Sequence, residues 1–221
     1  MLRRPLARKE YHWSSMNPKQ KEGYRKAAEA GWAVWANNDA VEVLSEAESV
    51  KIRRELKKRG EDSKILTHRW VFTDKHDGLR TSSNNLEEKP NARLVVPGFK
   101  DVFAFSIRKD APTASRTSQH VVLPFTACNF KKGWRLLSVD IKSAFMKGDP
   151  YMSGTRELFI QNIRVRGDEP GLPLSANGLA RVKKGVFGLA DAPRQWYLRL
   201  NRALTERGWE RSNTDAACWF L

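Results

Sequence analysis

The 221 residues hold 40 Lys and Arg against 25 Asp and Glu, a formal net charge of +15, with 40% hydrophobic residues and eight Trp. That much apolar and aromatic material excludes wholesale disorder, and a chain of this length forms one large domain or one and a half smaller ones. The basic excess is the footprint of a nucleic-acid binder; an anionic membrane surface is disfavoured, because no long helix pairs a basic face with a clean apolar one and no apolar run approaches the roughly 20 residues of a membrane span.

Residues 1–16 are basic and aperiodic, read as a loose arm with no apolar leader segment. Asn17-Pro18 then supplies a helix N-cap and first helical position, with Gln20 at the capping-box place. Tyr24, Ala28, Trp32 and Trp35 recur on one helical face, as packing residues rather than a stacking platform for bases, and Asn37-Asn38 ends the helix. Residues 41–44 form a short strand. Ser45 with Glu48 repeats the capping box before a helix with Ile52 and Leu56 inside, Lys57-Lys58-Arg59 in its last turn and Gly60 as its stop. That basic turn is a solvated helix end or, alternatively, a phosphate contact.

Residues 64–73 read as a strand, Asp77-Gly78 as a turn, 81–90 as a polar loop or hairpin tip, and 92–96 as the returning strand. Arg93 stands there among apolar neighbours, where a guanidinium faces either an ion-pair partner or a phosphate. Ser115 caps a helical run through Val121, Val122, Phe125 and Cys128, which Pro124 is expected to kink or break. Further on, 157–162 and 179–186 read as strands around a Gly/Pro-rich loop. Asp191 caps a helix over 192–208 with Trp196, Leu200 and Leu204 inside, and 216–221 is an apolar strand. The two Cys and four His show no metal-ligand spacing, which suits a reducing compartment, cytosol or nucleus.

The stretch 134–149, WRLLSVDIKSAFMKGD, organises the rest. Alternation over 136–141 reads as a short buried strand, with Leu137, Val139 and Ile141 on one face and Leu136, Ser138 and Asp140 on the other. Asp140 thus ends an apolar strand just before a tight turn that carries Phe145. A charge there is costly unless water, a partner or a metal ion meets it, so Asp140 is either a cap for the next helical turn or a chemical group.

Several blocks, in order, resemble the reverse-transcriptase region of copia-type LTR retrotransposon polyproteins. They are Arg69-Trp70-Val71-Phe72, Ala92-Arg93-Leu94-Val95 with Gly98-Phe99, Ala111-Pro112-Thr113, Asp140-Ile141-Lys142-Ser143-Ala144-Phe145 with Gly148, Gly188-Leu189 with Ala192-Pro193-Arg194, Trp196-Tyr197, and Cys218. The resemblance implies an α+β fold: a basic arm at 1–16, a helical pre-polymerase segment at 17–62, and a partial reverse-transcriptase fingers and palm at 63–221. It implies an RNA-directed DNA polymerase that transfers nucleotides at two Mg²⁺ (or Mn²⁺) ions, with an RNA or DNA template-primer and dNTP as partners and no membrane, located in the nucleus or a cytoplasmic retroelement particle. It also assigns residues. Asp140 matches the first metal-binding aspartate, with the Ile141 backbone carbonyl as a further ligand. Phe145 matches the aromatic gate under the sugar, and Arg93 the fingers arginine that clamps the triphosphate. Gly188 to Arg194 matches the segment supporting the template and the new base pair.

The chain also departs from the family. No Asp-Asp pair occurs in the 221 residues, so the hairpin that carries two adjacent aspartates is missing. Ala190-Asp191 stands where Lys-Gln is usual, which removes a positive charge near the template, and Asn91 where Lys is common. The expectation is therefore a polymerase fragment, inactive alone. The alternative is a non-enzymatic nucleic-acid-binding module derived from a retroelement polymerase. An unrelated basic protein, with Asp140 buried in an ion pair far from Arg93, is the third reading.

Overall fold

In the computed structural model, which describes residues 9–81, 83–152, 154–163 and 167–221, the chain enters as strand β1 (Glu10–Tyr11) and a 3₁₀ turn (Trp13–Ser15). Trp13 is buried, tilts against Phe72 with ring centroids 5.5 Å apart, and donates its indole N–H to Asp168 at 2.9 Å. The loose arm expected over 1–16 therefore does not hold from residue 9 onward; residues 1–8 lie outside the described residues.

Helix α1 (Pro18–Asn37) opens on the expected capping box, with the Gln20 amide donating to Asn17 Oδ1 at 2.9 Å and the Asn17 amide to Gln20 Oε1 at 3.1 Å. Its face of Tyr24, Ala28 and Trp35 is buried, and Trp32 is half-buried. Strand β2 (Val41–Val43) leads to the second box, Ser45 with Glu48, and to α2 (Glu46–Arg59), closed by Gly60 at φ 67°.

The strand expected over 64–73 is two strands, β3 (Ile65–Leu66) and β4 (Arg69–Asp74). Strand β5 (Pro90–Val95) returns along β4. Helix α3 (Arg116–Cys128) runs unbroken through Pro124, against expectation. No residue of α3 is buried, so water can meet the His120 carbonyl whose donor the proline lacks. Strands β6 (Phe159–Gln161) and β7 (Leu179–Val182) are shorter than the spacing suggests. Helix α4 (Ala192–Thr205) follows Asp191, whose side chain makes no capping bond, and its buried aromatic is Tyr197 rather than Trp196. Strands β8 (Glu210–Arg211) and β9 (Trp219–Phe220) form the last ladder.

Among the described residues these elements make four α-helices and three sheets, ordered β1-β4-β5, β2-β7-β6-β3 and β8-β9. Among the described pairings β3–β6 alone is parallel. The break before β4 lets the chain leave the second sheet for the first. One core joins Tyr24, Ala28 and Trp35 of α1 to Trp70 and Leu94 of the first sheet and to Ile160 and Val182 of the second. The helical segment 17–62 thus shares its core with both of the larger sheets.

The strand expected over 136–141 does not form. Residues 134–141 pair with none of β1–β9, and Leu137 and Val139 are 84% and 82% exposed. Alternation belongs to a single segment, whereas a ladder needs a neighbour offering N–H and C=O groups in register.

Candidate nucleotide site

Beyond β5 the backbone runs directly against the turn at 185–189. The Val96 amide donates to the Phe187 carbonyl at 2.9 Å. A Cβ on Gly188 would lie 1.9 Å from the Val96 carbonyl oxygen, and one on Gly98 would lie 2.0 Å from that of Gly188. Gly188 also holds φ at +99°. Only glycine at both places permits this approach.

The approach brings three side chains together. The Arg93 guanidinium carbon lies 5.3 Å from the Phe187 ring centroid. The Phe187 and Phe145 rings form a T-shaped pair, centroids 5.8 Å apart and planes at 65°. Arg93 is exposed and makes no hydrogen bond or ion pair among the described residues. Of the two readings open for it, the ion pair is absent; an aromatic face supports the charge instead. Such a contact is worth roughly 0.5–1 kcal/mol at an exposed site and leaves the guanidinium's N–H donors free for an anion.

Phe145 sits in a 3₁₀ turn (Ala144–Lys147) entered through Ser143 at φ +55°, a left-handed value that few L-residues adopt. The turn is anchored by Met146, fully buried, and passes Gly185, where a Cβ would lie 3.4 Å from the Phe145 carbonyl oxygen. Asp140 and Ile141 precede it on the exposed run. Asp140 makes no hydrogen bond or ion pair among the described residues, with Arg93 or any other group. No group of three or more His, Cys, Asp and Glu able to share an ion occurs among the described residues. One carboxylate and one carbonyl supply two oxygens where each Mg²⁺ takes about six, so the residues present do not fit a two-ion centre.

Gly188 thus lies beside Arg93 and Phe145, whereas Arg194, at the start of α4, is committed elsewhere. It pairs with Asp110 at 2.7 Å and donates to the Asp110 carbonyl at 3.1 Å. Arg108 grips the same carboxylate, and its hydrogen bond, with the two positive charges, holds that carboxyl below the usual range. Asp191 does not face outward as a lost positive charge would. It is buried, with Arg156 Nη1 2.6 Å from its Oδ2 in a direction poor for hydrogen bonding, and Tyr151 donating to its Oδ1 at 3.3 Å. Arg156 also holds Asp101. Burial pushes the Asp191 carboxyl up despite Arg156, and it pushes the Tyr151 hydroxyl up too. The other departure, Asn91, donates to Thr73 Oγ1 across the β4–β5 ladder at 3.0 Å.

A cavity of about 640 Å³ is lined by Arg59, Lys64, Arg156, Arg181 and Lys183, yet each of these cations has a carboxylate within 3.0 Å. Its charge is spent internally. Sequence reasoning missed Phe187 and Arg156. Phe187 had a visible signal, an aromatic directly before Gly188-Leu189; nothing in the spacing marks Arg156 as the partner of two distant acids.

A family model described as reverse transcriptase (RNA-dependent DNA polymerase) matches residues 54–220. The retrovirus-related Pol polyprotein from transposon RE1 of Arabidopsis thaliana is 28% identical over 162 residues, 71% of this chain and 10% of that protein. The corresponding polyprotein from transposon RE2 of the same plant is 27% identical over 162 residues, again 71% and 10%. That from transposon TNT 1-94 of Nicotiana tabacum is 24% identical over 159 residues, 70% and 10%. The chain spans 10% of the length of these curated relatives. No solved structure matches.

Proposed function

The chain belongs to the reverse transcriptase (RNA-dependent DNA polymerase) family, in its copia-type retrotransposon branch, and from that premise we propose that it holds the nucleotide-gripping part of an RNA-directed DNA polymerase and is inactive alone. The observation that carries this is the convergence of Arg93 and Phe145 on one ring. A free guanidinium beside an aromatic face suits the triphosphate and sugar of one dNTP, the former by forked hydrogen bonds and the latter by contact with the ring.

In this reading residues 63–221 are partial fingers and palm, with Arg93 on the fingers hairpin β4–β5 and Phe145 as the sugar gate. Gly188 gives the backbone clearance that seats both. Arg194, through Asp110, fixes the start of α4 behind the template. Nucleotidyl transfer at two Mg²⁺ or Mn²⁺ ions belongs to the complete polymerase. Asp140 and the Ile141 carbonyl are two oxygens of the larger donor set that such a centre needs. The exposed apolar run 136–141, unpaired here, is where a strand bearing further carboxylates fits. In this reading template-primer and dNTP are the partners, and the nucleus or a cytoplasmic particle is the compartment.

A labelled RNA–DNA primer–template incubated with this chain, dNTPs and Mg²⁺ or Mn²⁺ tests the reading. Binding without extension is expected. Extension would overturn the inactivity, and no binding at low salt would overturn the polymerase assignment. The alternative, a non-enzymatic nucleic-acid-binding module, is favoured by the solitary carboxylate; it predicts binding of duplex that added dNTP does not alter.

A further inference from the structure

Phe187 belongs to none of the roles assigned so far, yet it touches both groups that would grip the nucleotide. Its backbone is locked to β5, since its carbonyl accepts from Val96, three residues beyond Arg93. The glycine pair at 98 and 188 removes any slack between the two segments. On the other side the same turn is wedged against the Phe145 turn, for a Cβ on Gly185 would stand 3.4 Å from the Phe145 carbonyl oxygen. The ring therefore has a defined position relative to both neighbours, while Arg93 on its own has four freely turning side-chain bonds and no polar partner among the described residues.

We propose that Phe187 is a positioning residue whose ring holds the Arg93 guanidinium on one side and sets the Phe145 ring on the other, so that the phosphate-binding cation and the sugar-facing aromatic respond to a bound nucleoside triphosphate as one unit. This rests on the dNTP reading of the site and adds a coupling to it. A long cation restrained before binding loses less rotamer freedom on meeting its anion, so the ring contributes affinity without touching the ligand. Because the same ring sets Phe145, loosening it also blurs the distinction between 2′-deoxyribose and ribose. Triphosphate affinity and sugar preference should therefore fall together.

The test compares Phe187→Met, which keeps side-chain volume but has no π face, with Phe187→Tyr, which keeps the face. Two readouts are taken on the full chain. The first is the ring-current displacement of the Arg93 Nε–H resonance in ¹⁵N-labelled protein, which requires no ligand. The second is the affinity for Mg²⁺–dGTP and for Mg²⁺–GTP by calorimetry. Phe187→Met should lose the displacement, bind dGTP about three- to tenfold more weakly and lose most of its preference over GTP, with Phe187→Tyr restoring all three. Loss of the displacement with unchanged affinity and preference would overturn the positioning role while leaving the site reading intact. If the unsubstituted protein binds neither nucleotide, or binds dGTP equally well as Arg93→Gln, the site reading itself falls and the coupling falls with it. Should Phe187→Met fail to fold, the exposed Arg93→Leu takes its place: it must leave dGTP weaker and the deoxy preference reduced, and an unchanged preference would overturn the coupling.

Discussion

Arg156 has a side chain 4% exposed and is held between Asp101 and Asp191, with the Tyr151 ring 4.9 Å below its guanidinium. Burial outweighs the attraction of Arg156 at Asp191 and pushes that carboxyl up, with the second acid, Asp101, adding a smaller push in the same direction. Removing the base leaves two buried acids without the cation they share. Arg156→Met should cost roughly 3–5 kcal/mol, and at about 2–4 °C per kcal/mol for a chain of this size the midpoint in a thermal melt drops by about 6–20 °C. An unchanged midpoint would mean that the acids find water. His68 offers a test in pH. It is 3% exposed, its Nδ1 meets the Gln161 carbonyl at 3.1 Å, and Nε2 has no partner among the described residues; burial holds the imidazole below its ordinary value. The unfolded chain takes up the proton near the ordinary His value of about 6.5 and the folded chain does not, so this contribution is whole above that pH and is lost as pH falls below it. The slope is at most about 1.4 kcal/mol per pH unit from this one group. Asp191, raised rather than lowered, acts with the opposite sign. The difference between the parent and His68→Gln at each pH isolates His68, and chemical denaturation at pH 7 and pH 5.5 should show the parent losing more stability than the variant.

Helix α3 is an element held by one end. None of its residues is buried; its N-terminus is tied by the Ser115 amide, at 2.8 Å, and the Ser118 hydroxyl to Asp215 in the loop before β9. Those donors, led by the Ser118 hydroxyl, hold the Asp215 carboxyl well below the usual carboxylate range. Asp215→Ala should leave the core intact and release the helix. Hydrogen exchange over 115–128 is expected to quicken by roughly two- to tenfold, the net worth of a lost hydrogen bond, with α1, β4 and β5 unaltered; equal protection in both proteins would show another anchor. The same elements mark how far local reading goes. Both capping boxes, the Tyr24–Ala28–Trp35 face and the Gly60 stop were legible because each is decided within a turn of helix. The cut between β3 and β4, the unbroken α3 and the unpaired run at 136–141 were not, since sheet membership, solvent access to a carbonyl and a strand's partner are settled by distant segments. At the candidate site, Arg93 and Phe145 stood out as single residues; Phe187 is marked in sequence only as an aromatic before Gly188, and its contact with both follows from the approach that the glycine pair permits.

For the whole molecule the question is which of its cations are free to meet nucleic acid. Net charge of +15 overstates uniformity, because the cations of the 640 Å³ cavity are all matched by carboxylates. Matched pairs release no counterions when a phosphate arrives. Lys131, Lys132 and Arg135 differ: they lie just beyond α3, are exposed, and have no carboxylate within ion-pair distance among the described residues. The Arg135 guanidinium lies 4.5 Å from the Phe130 ring, which is itself 59% exposed, so charge and a stacking face are offered together. Each phosphate neutralised steepens the fall of log K against log salt by about 0.9 on duplex and 0.7 on single strands. Replacing these three residues with Gln should therefore flatten the slope for a duplex primer–template by about 2.7 if all three meet phosphates, while the melting midpoint stays put because none of them is packed inside. Fluorescence anisotropy on a salt series between 50 and 200 mM, a range over which six to ten contacts cost about 10³–10⁵ in affinity, measures that slope directly. A parallel shift of the two lines would show that the triple replacement weakens binding without removing phosphate contacts, and coincident lines would place the nucleic-acid face on another part of the surface.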